Sequence, residues 1–287
     1  MTAVASSTAA VSARGAALFV NHGGGPMPLL GQQEDVATRL REHVRELYPT
    51  LEARPKAIVV VSAHYHKRTP TVLLLENPPM KYDYGGFPPE AYKVQYPAKG
   101  NIALGERILG KLKEVLAAKG KPAPAGDTAW GFDHGTFVPL MLMFPEADIP
   151  VIPVSVQADD TDAETQLLLG EALRPFVQHE GVLVLGSGAS FHNFDYLFGN
   201  KGKAPSAFDD ALHHVLTDAT MDATARREAL VNWRSLPGSF EYQPKGGADH
   251  FLPLLSVAAA GGYLPASKTW RYVSSFGGQP YQHALWQ

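Results

Sequence analysis

The run Ala57-Ile58-Val59-Val60-Val61-Ser62-Ala63-His64 constrains the fold more than any other stretch. Its first five residues are apolar, four of them are β-branched, and the run is bounded by Pro55 and by Lys67-Arg68. So short a β-branched segment reads as a strand buried on both faces, the kind found inside parallel sheets. Gly15 to His22 repeats the pattern and ends at Gly23-Gly24-Gly25-Pro26. Gly181 to Leu185 repeats it again and runs through Gly186-Ser187-Gly188 to His192. Between the first two strands, Gln32 to Leu47 places Val36, Leu40, Val44 and Leu47 on one helical face. Strand, helix, strand makes a βαβ unit whose parallel strands share one C-terminal edge, and ligands bind at that edge in open α/β sheets. The expected fold is a single α/β domain over residues 15–287. Its central sheet is mostly parallel and flanked by helices on both faces.

The remaining segments fill this frame. Thr71 to Leu75 and Ile149 to Val156 read as strands, and Ile102 to Leu116 and Glu164 to Val177 as helices. Tyr82 to Tyr92 is too aromatic for an ordinary loop, and its glycines and prolines bar a helix; it suits a pocket wall or a loop packing its own rings. Trp130 to Thr136 reads as a polar loop, followed by a helix from Phe137 that Pro139 interrupts. Two helices are expected within 205–235. A last helix should be capped by Asp249, carry His250 in its first turn and stop at Gly261-Gly262, with Trp270 to Phe276 as the closing strand.

Composition removes several function classes. A net charge of −3 gives no basic footprint for nucleic acid and no polybasic membrane anchor. No run approaches the roughly 18 apolar residues of a membrane span. Residues 1–13 lack the cationic start and leucine-rich run of a signal peptide, so a disordered tail over 1–14 and a cytoplasmic location are expected. Nothing specifies an oligomeric state. There is no cysteine, which excludes disulfides, zinc–thiolate sites and thiol catalysis and leaves His, Asp and Glu to hold any transition metal.

The histidines then carry the argument. His43, His179, His213 and His214 fall on helix faces or polar connections and are expected to be solvated; His283 has no context. His22, His64, His66, His134, His192 and His250 sit at strand ends, in loops or at a helix start. A lone loop histidine is more often a hydrogen-bonded structural residue than a ligand, and His66 is read that way. Recurrence after successive strands changes the balance, since imidazole suits iron, zinc, copper and nickel. There is no H-E-x-x-H, no phosphate-binding G-x-x-x-x-G-K-[ST] and no G-x-S-x-G.

At these motifs the chain resembles the class III extradiol ring-cleaving dioxygenases, in particular the DOPA 4,5-dioxygenase branch. The matching stretches include Asn21-His22-Gly23-Gly24-Gly25-Pro26, Val60-Val61-Ser62-Ala63-His64, Tyr84-Gly85-Gly86-Phe87-Pro88-Pro89-Glu90, Gly131-Phe132-Asp133-His134-Gly135, His192-Asn193 and His250-Phe251-Leu252-Pro253-Leu254. The resemblance implies a mononuclear non-haem Fe(II) centre acting on a catechol and O₂ to give a ring-opened semialdehyde, with Zn(II) able to occupy the same site. It makes His22, His64 and His250 metal ligands. His192 becomes the acid/base residue or a fourth ligand, and His134 a catalytic residue contacting substrate. Tyr84 and Asn193 become substrate-binding residues. Asn21 and Gly24 stand where the family usually has serines, Gln243-Pro244 stands where it has His-Pro, and Asp249 is an alternative third ligand. The side chain of DOPA would need acidic and basic partners, for which Lys67, Arg68, Glu90 and Tyr242 are candidates. A zinc-dependent hydrolase using His192 to activate water, and a non-catalytic binding protein that keeps the metal pocket, are the competing readings.

Overall fold

The computed structural model describes residues 15–157, 161–199 and 201–287. The tail expected over 1–14 lies outside them. Eight strands form one sheet: β1 (Ala16–Asn21), β2 (Ala57–Lys67), β3 (Thr71–Leu73), β4 (Ala125–Asp127), β5 (Val151–Gln157), β6 (Val182–Gly188), β7 (Lys268–Val273) and β8 (Pro280–Trp286), in the order β4-β3-β5-β2-β6-β1-β8-β7. The four central strands, β5, β2, β6 and β1, pair parallel. The antiparallel pairs are β3 with β5, β1 with β8 and β7 with β8. The α/β class with a mostly parallel sheet therefore holds, with antiparallel edges added.

The helices are α1 (Glu34–Leu47), α2 (Ile102–Ala117), α3 (His134–Met143), α4 (Ala163–Glu180), α5 (Phe194–Leu197), α6 (Ala207–Thr217), α7 (Ala223–Val231), α8 (Ser239–Tyr242) and α9 (Leu252–Ala260). Strand alternation divides them. Leu18, Val20, Ile58, Val60, Leu183 and Leu185 face α1 and α3. Their neighbours Phe19, Val59, Val61 and Val184 face α2, α4 and α9. Both faces of the central strands are thus dry, which is why their sequences run apolar without alternating. Among the described residues no helix is long and apolar enough to cross a membrane.

Three expectations change. Trp270 to Phe276 does not close the sheet: its strand, β7, is the outer edge, and β8 returns after Gly277-Gly278 to insert between β7 and β1. The third helix begins at His134 instead of Phe137, because the carboxylate of Asp133 accepts the backbone N–H of Thr136 at 2.9 Å and caps it. The last helix begins at Leu252, with no cap from Asp249. The carbonyl of His250 is taken by the N–H of Ala189 at 2.8 Å, so the helical hydrogen-bond series starts after it.

His43 is the fourth correction. His179 and His214 are exposed, but His43 is buried against Trp270, with ring centroids 4.1 Å apart. It faces the fully buried His283 of β8, Nε2 to Nδ1, at 2.7 Å. The N–H of Asn21 donates to His283 Nε2 at 3.0 Å, so the His283 proton sits on Nδ1 and is donated to His43. Burial lowers the His43 pKa to about 4 and pushes that of His283 well down. Both rings are neutral in the fold near pH 7, whereas in the unfolded chain they take up protons at the ordinary value of about 6.5. The stability they contribute is present above the unfolded value of about 6.5 and is lost as pH falls towards 4. For His43 alone this amounts to about 2 kcal/mol between pH 7 and pH 5. The difference between urea-unfolding free energies at those two pH values should shrink by about that amount in His43→Gln; an unchanged difference would contradict the assignment.

Candidate metal centre and active site

Parallel pairing brings the histidines together. His22 follows the last residue of β1, and its N–H donates to the carbonyl of Gly188, the last residue of β6, at 3.2 Å. His64 lies within β2, just beyond Ser62, which pairs with Ser187 of β6. His250 arrives on the turn before α9, packed onto the end of β6. A Cβ on Gly188 would sit 2.1 Å from the His250 carbonyl oxygen, so only glycine lets this turn approach.

The ring centroids of His22 lie 5.0 Å from those of His64 and 5.2 Å from those of His250, and His64 and His250 are 4.8 Å apart. His22 Nε2 and His64 Nε2 are 3.2 Å apart. Two imidazoles bound at about 2.1 Å in tetrahedral or octahedral geometry have their nitrogens about 3.0–3.4 Å apart, so this pair is spaced for a shared ion. His250 Nδ1 is buried without a hydrogen-bond partner, although Asp249 Oδ1 lies 3.2 Å away off the bonding direction. Burial, then the repulsion of neighbouring imidazoles, holds His22 and His64 well below the ordinary pKa. Neutral rings with free lone pairs are what a divalent metal requires. Two further groups adjoin this one: His64 with Asp83 and His134, and His192 with Asp249 and His250. The histidine–carboxylate cluster is compatible with a divalent metal site.

Outer partners fix the rings. The amide of Pro139 carries no hydrogen, so the carbonyl of Gly135, four residues earlier in α3, has no helical donor. The hydroxyl of Ser187 donates to that carbonyl. With its hydrogen committed, the Ser187 oxygen accepts from His22 Nδ1–H at 2.9 Å, which leaves the lone pair on Nε2. Asp83, from the aromatic loop, accepts both the backbone N–H and Nδ1–H of His134 at 2.9 Å. Burial raises the Asp83 pKa, but the bonds from His134 outweigh it and the carboxyl is held low. His134 is thereby oriented with its ring 3.7 Å from that of His64.

His192 stacks on His250, with centroids 3.5 Å apart and planes 13° from parallel. It is brought near Asp249 and His250 but not into one group with His22 and His64. Burial, then His250, lowers its pKa to about 3, where an ordinary value near 6.5 would have left it half-charged close to neutrality. A cavity of about 440 Å³ reaches His64, His134, His192 and His250. Tyr84 and Phe87 wall it, and their loop also packs its own rings, so both readings of that loop hold. The hydroxyl of Tyr84 donates to the Ala91 carbonyl at 2.7 Å, so the residue offers the cavity its ring. Asn193 is not brought there. It lines a neighbouring cavity, and its amide caps α5 and bonds the Glu241 carbonyl at 2.9 Å. His66 stands apart from the cluster beside Asp249, at 3.4 Å. Lys67, Arg68, Glu90 and Tyr242 do not line the main cavity either.

Ser187 and Asp83, which hydrogen-bond His22 and His134, are not singled out by the sequence motifs. Ser187 is polar in an otherwise apolar buried strand, and Asp83 is an acid set between two tyrosines; each carried that much signal.

Residues 17–272 match the family model described as the catalytic LigB subunit of aromatic ring-opening dioxygenase. The chain belongs to this family. It is 35% identical over 255 residues to the dioxygenase tasH of Hapsidospora irregularis, covering 85% of this chain and 77% of that one. It is 33% identical over 250 residues to the 4,5-DOPA dioxygenase extradiol of Escherichia coli K12, covering 87% and 86%. The crystal structure of uncharacterized protein JW3007 from Escherichia coli K12 superposes with a TM-score of 0.72 at 28% identity, covering 96% of this chain and 100% of that one. The family and these relatives make the chain an aromatic ring-opening dioxygenase of the extradiol type.

Proposed function

We propose that this enzyme cleaves a catechol beside its hydroxyls with O₂, using Fe(II) held by His22, His64 and His250. The convergence of unprotonated ring nitrogens, with His22 Nε2 and His64 Nε2 3.2 Å apart, is the observation that carries this reading. Fe(II) supplies a Lewis acid and a redox path between an aromatic diol and O₂, and Zn(II), which has no redox chemistry, fits the same donors without that activity.

The chain's own groups then have distinct tasks. His134, with its Nδ1 proton given to Asp83, presents Nε2 as an acceptor to a catechol hydroxyl. His192, stacked on His250 with ring centroids 3.5 Å apart, is placed to take a proton from the substrate and return it to the product side. The ring faces of Tyr84 and Phe87 flank the aromatic substrate and exclude water. Asp249 lies beside the His192–His250 pair; engaged with His66, it is a weaker candidate for the third ligand than His250.

Anaerobic loading with Fe(II), followed by O₂ electrode traces against a catechol panel, tests the reading. One O₂ consumed per catechol, with a yellow semialdehyde product, is expected from the iron form and not from the zinc form. A hydrolase or a binding protein of this fold would consume no O₂ with either metal.

A further inference from the structure

We propose that the preferred substrate is a catechol bearing a neutral, apolar substituent, and that this substituent packs against Phe194, Phe198 and Phe276. The inference rests on the dioxygenase reading and adds the chemistry of the part of the substrate that does not react.

The first ground is what the cavity offers. About 440 Å³ leaves room for a substituent beyond the ring, and among the described residues no lysine or arginine lines the wall. Asp249, the one acidic side chain in the wall among the described residues, is engaged by His66 at 3.4 Å and lies 3.2 Å from His250. A carboxylate brought here would lose its water and find no cation in return. The other candidate partners are elsewhere: Lys67 pairs with Asp127 at 2.8 Å, and the neutral phenol of Tyr242 is buried against Phe191 with centroids 4.8 Å apart. Lys201 pairs with Asp195 at 2.9 Å. Lys245 belongs to the loop walling the second cavity and does not line the first.

The second ground is independent of charge. Phe194 and Phe198 are 56% and 66% exposed, large apolar groups left in water next to the mouth. They stack at 5.6 Å, and Phe198 meets Phe276 edge-on at 6.1 Å. Phe194 and Phe276 also line the cavity, so the patch continues the substrate site outward. Phe194 touches His192, at 4.8 Å, which ties the patch to the reacting end. A flat, uncharged substituent covers these rings when the diol sits at the histidines.

The test uses the full Fe(II)-loaded chain and kcat/KM from O₂ uptake with four probes: catechol, propylcatechol, phenylcatechol and the carboxylate-ended dihydroxyphenylpropanoate. Propylcatechol and the propanoate have similar length and differ in charge. The two neutral substituted probes should exceed the propanoate by about tenfold or more, and Phe198→Ala and Phe276→Ala should each lower the phenylcatechol-to-catechol ratio by about tenfold. A propanoate used as well as propylcatechol would overturn the proposal and leave the dioxygenase reading intact. So would ratios unmoved in both variants, including the case where sedimentation shows that Phe198→Ala instead dissociates an oligomer. No O₂ uptake with any probe, catechol included, would overturn both.

Discussion

Alanine at His22 is expected to leave the purified protein unable to retain a divalent metal through dialysis, with ring cleavage lost alongside it. Losing an outer partner of a metal ligand typically costs about 10–100-fold in metal affinity, so losing the ligand itself should cost more than about 100-fold. His64→Ala should behave alike, because its Nε2 is the nearest donor to that of His22, at 3.2 Å. Ser187→Ala makes the effect graded. It removes the oxygen that fixes the Nδ1–H tautomer of His22 and should weaken metal binding by about 10–100-fold while keeping the ligand. Elemental analysis after equilibrium dialysis at several free-metal concentrations gives all three numbers. Full occupancy in His22→Ala, in protein whose circular dichroism matches the parent, would remove His22 from the ligand set.

His192→Ala should do the opposite: metal content equal to the parent's and kcat lower by about 10²–10⁴-fold, the range for losing a general acid/base. The prediction follows from position. His192 lies flat on His250 and belongs to a different cluster from His22 and His64, so its removal uncovers one ligand without withdrawing one. Metal lost from this variant in proportion to activity would make His192 a ligand.

Much of this was readable from the chain because it depends on strands alone. The apolar runs ending in His22 and His64 mark central parallel strands, and parallel strands must end on one edge. What the sequence concealed depends on contacts across more than 200 residues. His43 lies three residues after Leu40 and four before Leu47, on the apolar stripe of α1, yet its burial makes sense only once β8 supplies His283 at 2.7 Å. β8 itself, Pro280–Trp286, carries buried Gln282 and His283 and so lacks an apolar signature. The resemblance makes Asn193 a substrate-binding residue, but it lines the neighbouring cavity. Its amide went to a helix cap.

Pro139 sits where helix propensity alone would place almost anything else. A stability-minded redesign of α3 would replace it first, and the new amide hydrogen would compete with Ser187 for the oxygen of Gly135. The gain in thermal tolerance would then be drawn from the orientation of one imidazole. Selection for a rigid helix and selection for a working centre pull against each other at a residue that touches neither metal nor substrate.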